Sequence, residues 1–188
     1  MVFSLILRIV NGVKEGVRAG LKGVTDVGSV IVDVVKNTTV TTLEKTGEFL
    51  AKGVETAASI VEGAISGVAD IGVSVIETIR GIVRGAVRGF MEMGGKQDSA
   101  VTGAVSQAIH SAKTLGLDIG ETAVEAVKGS IEAVRTVGGD VVEATKTAVL
   151  AAVGAAKDIG GETVDAVKDA LESGVEGAKD IIDAIKEE

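Results

Sequence analysis

His110 is the first residue to test for catalysis, because imidazole is the side chain that exchanges protons near neutral pH. It is the only histidine, and the 188 residues contain no cysteine. A zinc site or a nucleophilic triad needs such partners. His110 also falls on the charged side of the repeat described below, so we predict that it is a solvated surface residue.

Lys96 follows two glycines, Gly94 and Gly95, and invites comparison with a phosphate-binding loop. That motif requires a glycine five residues before the Gly-Lys pair and a Ser or Thr directly after the lysine. Phe90 and Gln97 occupy those two places. We therefore expect no nucleotide site and no cofactor.

Carboxylates are abundant, but many stand three residues before a basic residue at regular intervals. Such pairs support a solvated helix face and contribute about 0.2–0.5 kcal/mol each. They are Glu125 with Lys128, Glu132 with Arg135, Glu143 with Lys146, Asp165 with Lys168, and Glu176 with Lys179. This regularity, with neither a metal site nor a triad, predicts a protein that is not an enzyme.

Arg80, Arg84 and Arg88 form a one-sided ladder of basic side chains. The ladder is a candidate contact for lipid headgroups or for the carboxylates of a partner protein. A solvated face with the aliphatic stems packed along the helix fits the same spacing.

The element that positions these residues follows from an eleven-residue period in the charges. Of 19 basic and 27 acidic residues, all but four leave a remainder of 0, 3, 4, 7 or 8 when their number is divided by eleven. The exceptions are Lys45, Asp98, Lys186 and Glu188. Eleven residues make three turns of about 3.67 residues, so the charges form one polar stripe along a helix.

The other side of this helix is a wide apolar face, which we predict packs against lipid or against other helices. Its candidate residues are Phe3, Val10, Leu21, Val32, Leu43, Val54, Ile65, Ile76, Val87, Phe90, Ile109, Ile131, Val142, Val153, Val164 and Val175. Small residues recur every four positions and allow two helix backbones to approach closely. They are Gly12, Gly16 and Gly20, and then Gly81, Gly85 and Gly89.

Glycines also recur with a period of 22 residues. The series is Gly28, Gly72, Gly94, Gly116, Gly138 and Gly160. Periods of 20–50 residues often indicate stacked short elements, which require a turn in each repeat. Because proline is absent and clear loop clusters occur only at residues 37–42 and 94–99, we interpret each period as six turns of a continuous helix.

The sequence therefore predicts an all-α protein with eleven-residue periodicity. The preferred topology is a two-helix hairpin with a hinge at residues 94–99, and the alternative is a single long amphipathic helix. Residues 1–93 would form a near-neutral amphipathic segment and residues 100–188 an acidic one. Through Lys96 there are 11 basic and 10 acidic residues, whereas from Gln97 onward there are 8 and 17.

The net charge of −8 disfavours a nucleic-acid partner, because such binding depends on Lys and Arg. Neither a signal peptide nor a conventional transmembrane helix is evident in the pattern. We expect a protein peripheral to a membrane or a lipid body.

Residues 12–20 and 51–58 resemble the eleven-residue repeats of synucleins and perilipins. The 22-residue period is similar to that of exchangeable apolipoproteins. Those families lay amphipathic helices on lipid surfaces and lack enzymatic activity. The resemblance implies a coat on a membrane, a lipid droplet or a storage granule.

Two functional hypotheses follow. In the first, the protein coats a lipid or other hydrophobic surface with its apolar face. In the second, it is a structural homo-oligomer in which helices bury that face against copies of the chain as a bundle or filament. The predicted partners are accordingly a lipid surface, copies of the chain, or both.

Overall fold

The computed structural model describes residues 2–47 and 52–186, with side chains from Ser4 onward. Those residues form nine α-helices and no β-strand. In chain order the helices are α1 (Val2–Leu21), α2 (Val27–Thr46), α3 (Gly53–Asp70), α4 (Val75–Glu92), α5 (Gln97–Leu115), α6 (Ile119–Val137), α7 (Val141–Ile159), α8 (Gly161–Gly174) and α9 (Ala178–Lys186). The prediction of an all-α protein is confirmed. The prediction of a two-helix hairpin or a single long helix is wrong.

The helices end where a glycine adopts a left-handed backbone. At Gly116 φ is 70°, the Gly116 amide donates to the Lys113 carbonyl at 3.2 Å, and the Leu117 amide donates to the Ala112 carbonyl at 2.8 Å. This pair of bonds satisfies carbonyls that the helix end leaves free. Gly72, Gly94 and Gly138 have φ of 78°, 91° and 80° and precede the same pattern of bonds. These glycines of the 22-residue series therefore end helices instead of lying within one.

Acidic side chains start the helices that follow two of these glycines. The Asp118 carboxylate accepts from the Glu121 amide at 2.9 Å, and the Asp140 carboxylate accepts from the Glu143 amide at 3.0 Å. Each bond satisfies an amide that has no partner within the helix. A glycine followed two residues later by Asp, and three residues after that by Glu, is thus a stop and start signal in this sequence.

The eleven-residue period survives these turns because of their length. Helices α3 to α7 begin at Gly53, Val75, Gln97, Ile119 and Val141, which are 22 residues apart. A helix with its turn thus takes two eleven-residue steps, and the polar stripe resumes in phase in the next helix. Periodicity alone therefore could not reveal the turns, which is why the continuous-helix interpretation was wrong.

Each helix packs against the next helix in the chain and against the one after it. Because short turns make consecutive helices antiparallel, the odd-numbered helices form one layer and the even-numbered helices the other. The arrangement is a stack of helix pairs, as in an α-solenoid. The hinge expected at 94–99 overlaps the turn at 93–96, but α3 packs on α5 and α4 on α6 across it, so the stack continues.

An aliphatic core fills the space between the layers. Its largest fully buried side chains include Phe90, Ile9, Leu43, Ile60, Ile79, Ile82, Ile109, Leu171 and Ile182. Gln97, which stands on the apolar face, donates its amide to the Asp140 carbonyl at 2.8 Å and accepts from the Asp140 amide at 3.0 Å. This side chain joins the start of α5 to the start of α7.

Candidate functional site

Most described residues of the predicted apolar face lie between helices. Leu21, Leu43, Ile65, Val87, Phe90, Ile109, Val153 and Val175 are buried, and Val10, Val32, Ile76, Ile131 and Val164 are half-buried. Val54 is exposed by 44% and Val142 by 82%. The side chain of Phe3 lies outside the described part of the structure. Helix packing within the chain thus accounts for most of this face.

Glycines on one face of α3 and α4 bring these helices against the backbones of α1 and α2. A Cβ atom on Gly63 would lie 2.5 Å from the Val10 carbonyl oxygen, and one on Gly85 would lie 2.6 Å from the Val32 carbonyl oxygen. No side chain fits in such a gap. We call the face of a helix that contacts the second helix before it the seat. In α4 the seat contains Gly81, Gly85 and Gly89.

The opposing surface is formed by a valine and a lysine four residues apart. The carbonyl oxygens of Val10 and Lys14 face the seat of α3, and those of Val32 and Lys36 face the seat of α4. We call each Val-x-x-x-Lys pair a ridge. The prediction that recurrent small residues allow close helix approach is confirmed at these contacts. Gly12, Gly16 and Gly20 likewise face Thr42, Thr38 and Val34 of α2.

The predicted arginine ladder lies beside α6. Arg80 donates to both carboxylate oxygens of Glu125, from Nε at 2.9 Å and from Nη2 at 3.0 Å. Arg80 also lies 3.5 Å from Glu132, and Arg84 lies 3.7 Å from it. The hydrogen bond to Glu125 and the charges of both carboxylates raise the pKa of Arg80, although partial burial opposes the shift.

Arg84 and Arg88 are less well satisfied than Arg80. Arg88 approaches Glu92 only at 3.9 Å, and the buried Nε atoms of Arg84 and Arg88 have no hydrogen-bond partner in the described part of the chain. Because these two Nε atoms are inaccessible, a ligand could reach only the ends of the guanidinium groups. The ladder therefore acts first as an internal contact between α4 and α6.

The ion pairs between helices share one direction. Lys14 pairs with Asp70 at 3.3 Å and Lys36 with Glu92 at 3.8 Å. The other such pairs are Arg18 with Asp70, Arg80 with Glu125 and Glu132, Arg84 with Glu132, and His110 with Asp158. In each pair the basic residue stands on the earlier helix and the acidic residue on the helix two places later. The stack therefore has a polarity, with different chemistry on its two ends.

At the first end, the seats of α1 and α2 have no helix against them. A groove of about 640 Å³ runs between these helices. We call it the head groove. It is lined by Arg8, Gly12, Glu15, Gly16, Asn37, Thr38, Thr41, Thr42, Lys45 and Thr46. The segment 37–42, interpreted from the sequence as a loop cluster, is helical and lies in α2.

Lys45 is the signal in the sequence that could have revealed this groove. It is one of the four charges that miss the polar stripe, and it lies exposed in the head groove. A charge on the apolar face of a stacked helix indicates that no neighbouring helix covers that position.

The other end of the stack, which we call the tail, is formed by α7, α8 and α9. A groove of about 350 Å³ lies between α7 and α9 and includes Leu150, Ile181 and Ile185. The short α9 leaves Val142 of α7 exposed. Apolar side chains are thus accessible at this end.

The described residues bring together no group of three or more side chains that could hold a metal ion. His110 is partly exposed and lies 3.6 Å from Asp158 on α7. None of the helices in the described ranges combines the length and the hydropathy that crossing a membrane requires. The two ends of the stack are therefore the most distinctive accessible features, and both suit contact with another macromolecule.

Comparison with known proteins adds no family to these observations. The sequence matches no family model and no curated protein. The resemblance to synucleins, perilipins and apolipoproteins thus rests on the repeat pattern alone.

Proposed function

We propose that this chain is a non-enzymatic structural protein that assembles with copies of itself. The observation that carries the proposal is the repeated contact between a ridge and a seat, at α1 with α3 and at α2 with α4. Both partners in such a contact are versions of one 22-residue unit. A unit that packs on its own kind within a chain is suited to pack on its own kind between chains.

Burial of the apolar face also favours this proposal over a lipid coat. Isolated amphipathic helices need lipid to cover that face, whereas here Ile60, Ile79 and Ile109 are already buried by other helices. A coat would require the helix pairs to separate and exchange these contacts for lipid. The glycine-mediated contacts with backbone carbonyls would be lost in that exchange.

The lipid coat remains the second candidate because each helix has its own apolar face and a turn at its end. Opening at Gly72, Gly94, Gly116 and Gly138 would present these faces side by side on a surface. The exposure of Val142 and Leu150 gives such opening a possible starting point at the tail.

Sedimentation velocity over a range of concentrations, without lipid, tests the proposal. We expect oligomers whose size increases with protein concentration, and little flotation with neutral or anionic phospholipid vesicles. A protein that stays monomeric at every concentration and floats with vesicles would overturn self-assembly in favour of the coat. Far-ultraviolet circular dichroism with and without vesicles provides the control, because monomer and oligomer should both be helical.

A further inference from the structure

We propose that copies associate head to tail, with the ridges of one tail seated in the head groove of the next copy. This inference rests on the proposed self-assembly and adds its geometry. Within the chain, ridges of one helix pair fill the seats of the next. The two ends of the stack carry the members of this contact that the chain itself leaves unfilled.

The head groove is the vacant seat of the first helix pair. Asn37, Thr41 and Lys45 stand two 22-residue steps before Gly81, Gly85 and Gly89, which form the seat of α4. All three line the head groove. No earlier helix packs there, since the main contacts of α2 are with α1 and α4.

The tail carries the matching ridges. Val142 with Lys146 on α7, and Val164 with Lys168 on α8, repeat the Val-x-x-x-Lys pair of Val32 and Lys36 at multiples of 22 residues. The main contacts of α8 are with α6, α7 and α9, so no helix two places later covers its ridge. Val142, which is 82% exposed, is the most accessible large apolar side chain described in the chain.

Charge complementarity favours this orientation. Residues 2–46 contain six basic and four acidic residues, whereas residues 161–186 contain three basic and seven acidic residues. A head is therefore attracted to a tail, while two tails repel each other. Locally, Lys168 extends the pattern of a base on the earlier helix, and Glu15 in the head groove offers the acid on the later one.

The contact is heterologous, because the surfaces that meet on the two copies differ. Such contacts build rings or open filaments, according to whether the rotation between copies closes. Pairing of identical surfaces would stop at a dimer. This difference gives the inference a test that self-association alone does not satisfy.

Two single variants each block one end. Thr41→Arg fills the head groove with a bulky charged side chain, and Val142→Asp places a charge on the tail ridge. Both positions are exposed, so the helices should remain folded, which circular dichroism checks. Thr136→Arg and Leu115→Asp are matched controls at exposed positions outside both ends.

Sedimentation velocity of each variant, and of the two end-blocked variants mixed in equal amounts, distinguishes the outcomes. We expect each blocked variant to associate at least about tenfold more weakly than the wild type, and the mixture to recover a dimer that grows no further. The controls should associate as the wild type does.

Three results would overturn the inference. If the wild type assembles and neither blocked variant is weakened, the chain self-associates through another surface, and only the head-to-tail geometry is wrong. If both variants are weakened but their mixture forms no dimer, identical surfaces pair. If the wild type is monomeric throughout, the proposed function itself fails, and the geometry fails with it.

Discussion

The contact between α2 and α4 and the contact between α5 and α7 occupy equivalent places in the stack but are built from different residues. The seat of α4 consists of Gly81, Gly85 and Gly89, two of which meet backbone carbonyls of α2. Three 22-residue steps later, α7 carries Thr147, Ala151 and Ala155. Each interior glycine disfavours a helix by about 1 kcal/mol relative to alanine. The α4 seat therefore depends on its tertiary contact more than the α7 seat does.

Helix starts differ in the same direction. α6 and α7 begin with Asp118 and Asp140, whose carboxylates accept backbone hydrogen bonds. α4 and α5 begin after Ser74 and Lys96, neither of which caps its helix through a side-chain bond. Local interactions thus support the later helices, whereas close packing supports the earlier ones. The same architecture is reached by two balances of local and tertiary stabilisation.

The largest effect is expected for Gly85→Ala in the α4 seat. The new Cβ would meet the Val32 carbonyl oxygen at 2.6 Å and the Val35 Cβ at 2.8 Å, so α2 must move. We expect the free energy of unfolding to fall by about 1–3 kcal/mol even though alanine favours the helix, and urea denaturation measures this change. An increase in stability would show that α4 does not approach α2 so closely.

The reverse exchange at the α7 seat, Ala151→Gly, is expected to destabilise through propensity alone. The free energy of unfolding should fall by about 1 kcal/mol, because no close backbone contact compensates the glycine. Urea denaturation of this variant beside Gly85→Ala sharpens the comparison. Stabilisation by Ala151→Gly would mean that α7 also benefits from a glycine seat.

Removal of a helix cap tests the local side of the comparison. Asp140→Ala removes the carboxylate that accepts from the Glu143 amide and should lower the free energy of unfolding by about 1 kcal/mol. The matched control is Ser74→Ala, which removes no capping bond and should change stability little. Thermal denaturation of both variants gives the difference. Equal losses would refute the assigned role of Asp140.

The smallest effect, and the only expected gain, is for Gly154→Ala in α7. A Cβ at this exposed glycine would have no heavy atom within 4 Å, so propensity decides the result. We expect an increase in the free energy of unfolding of up to about 1 kcal/mol, measured by urea denaturation. A loss at Gly154 comparable to that of Gly85→Ala would show that glycine has a tertiary role in both regions.

The sequence alone established the helical class and the inward face of the helices. The polar stripe predicts which side of each helix meets water, and buried Leu43, Ile65 and Ile109 agree with the opposite face. It also indicated that Gly81, Gly85 and Gly89 allow close helix approach. These properties depend on the 3.6-residue helical repeat and on side-chain size, which are local.

The turns were present in the sequence but were interpreted as helix. Gly116, Asp118 and Glu121 form a stop and start signal, and the same spacing recurs at Gly138, Asp140 and Glu143. A period of 22 residues conceals such a turn, because it is also two steps of the eleven-residue period. Attention to helix ends, instead of to phase, would have predicted a stack of short helices.

Only the tertiary structure decided what covers the apolar face and where surface remains open. Whether Val32 meets lipid, another copy or a helix of the same chain depends on contacts between residues far apart in sequence, such as Val32 with Gly85. The functions of Arg80 and Lys45 depend on the same contacts: Arg80 lies beside α6, while Lys45 lies where the stack begins and no helix precedes it. Helical periodicity determines the direction of a side chain, but only the packing of the whole chain determines its neighbour.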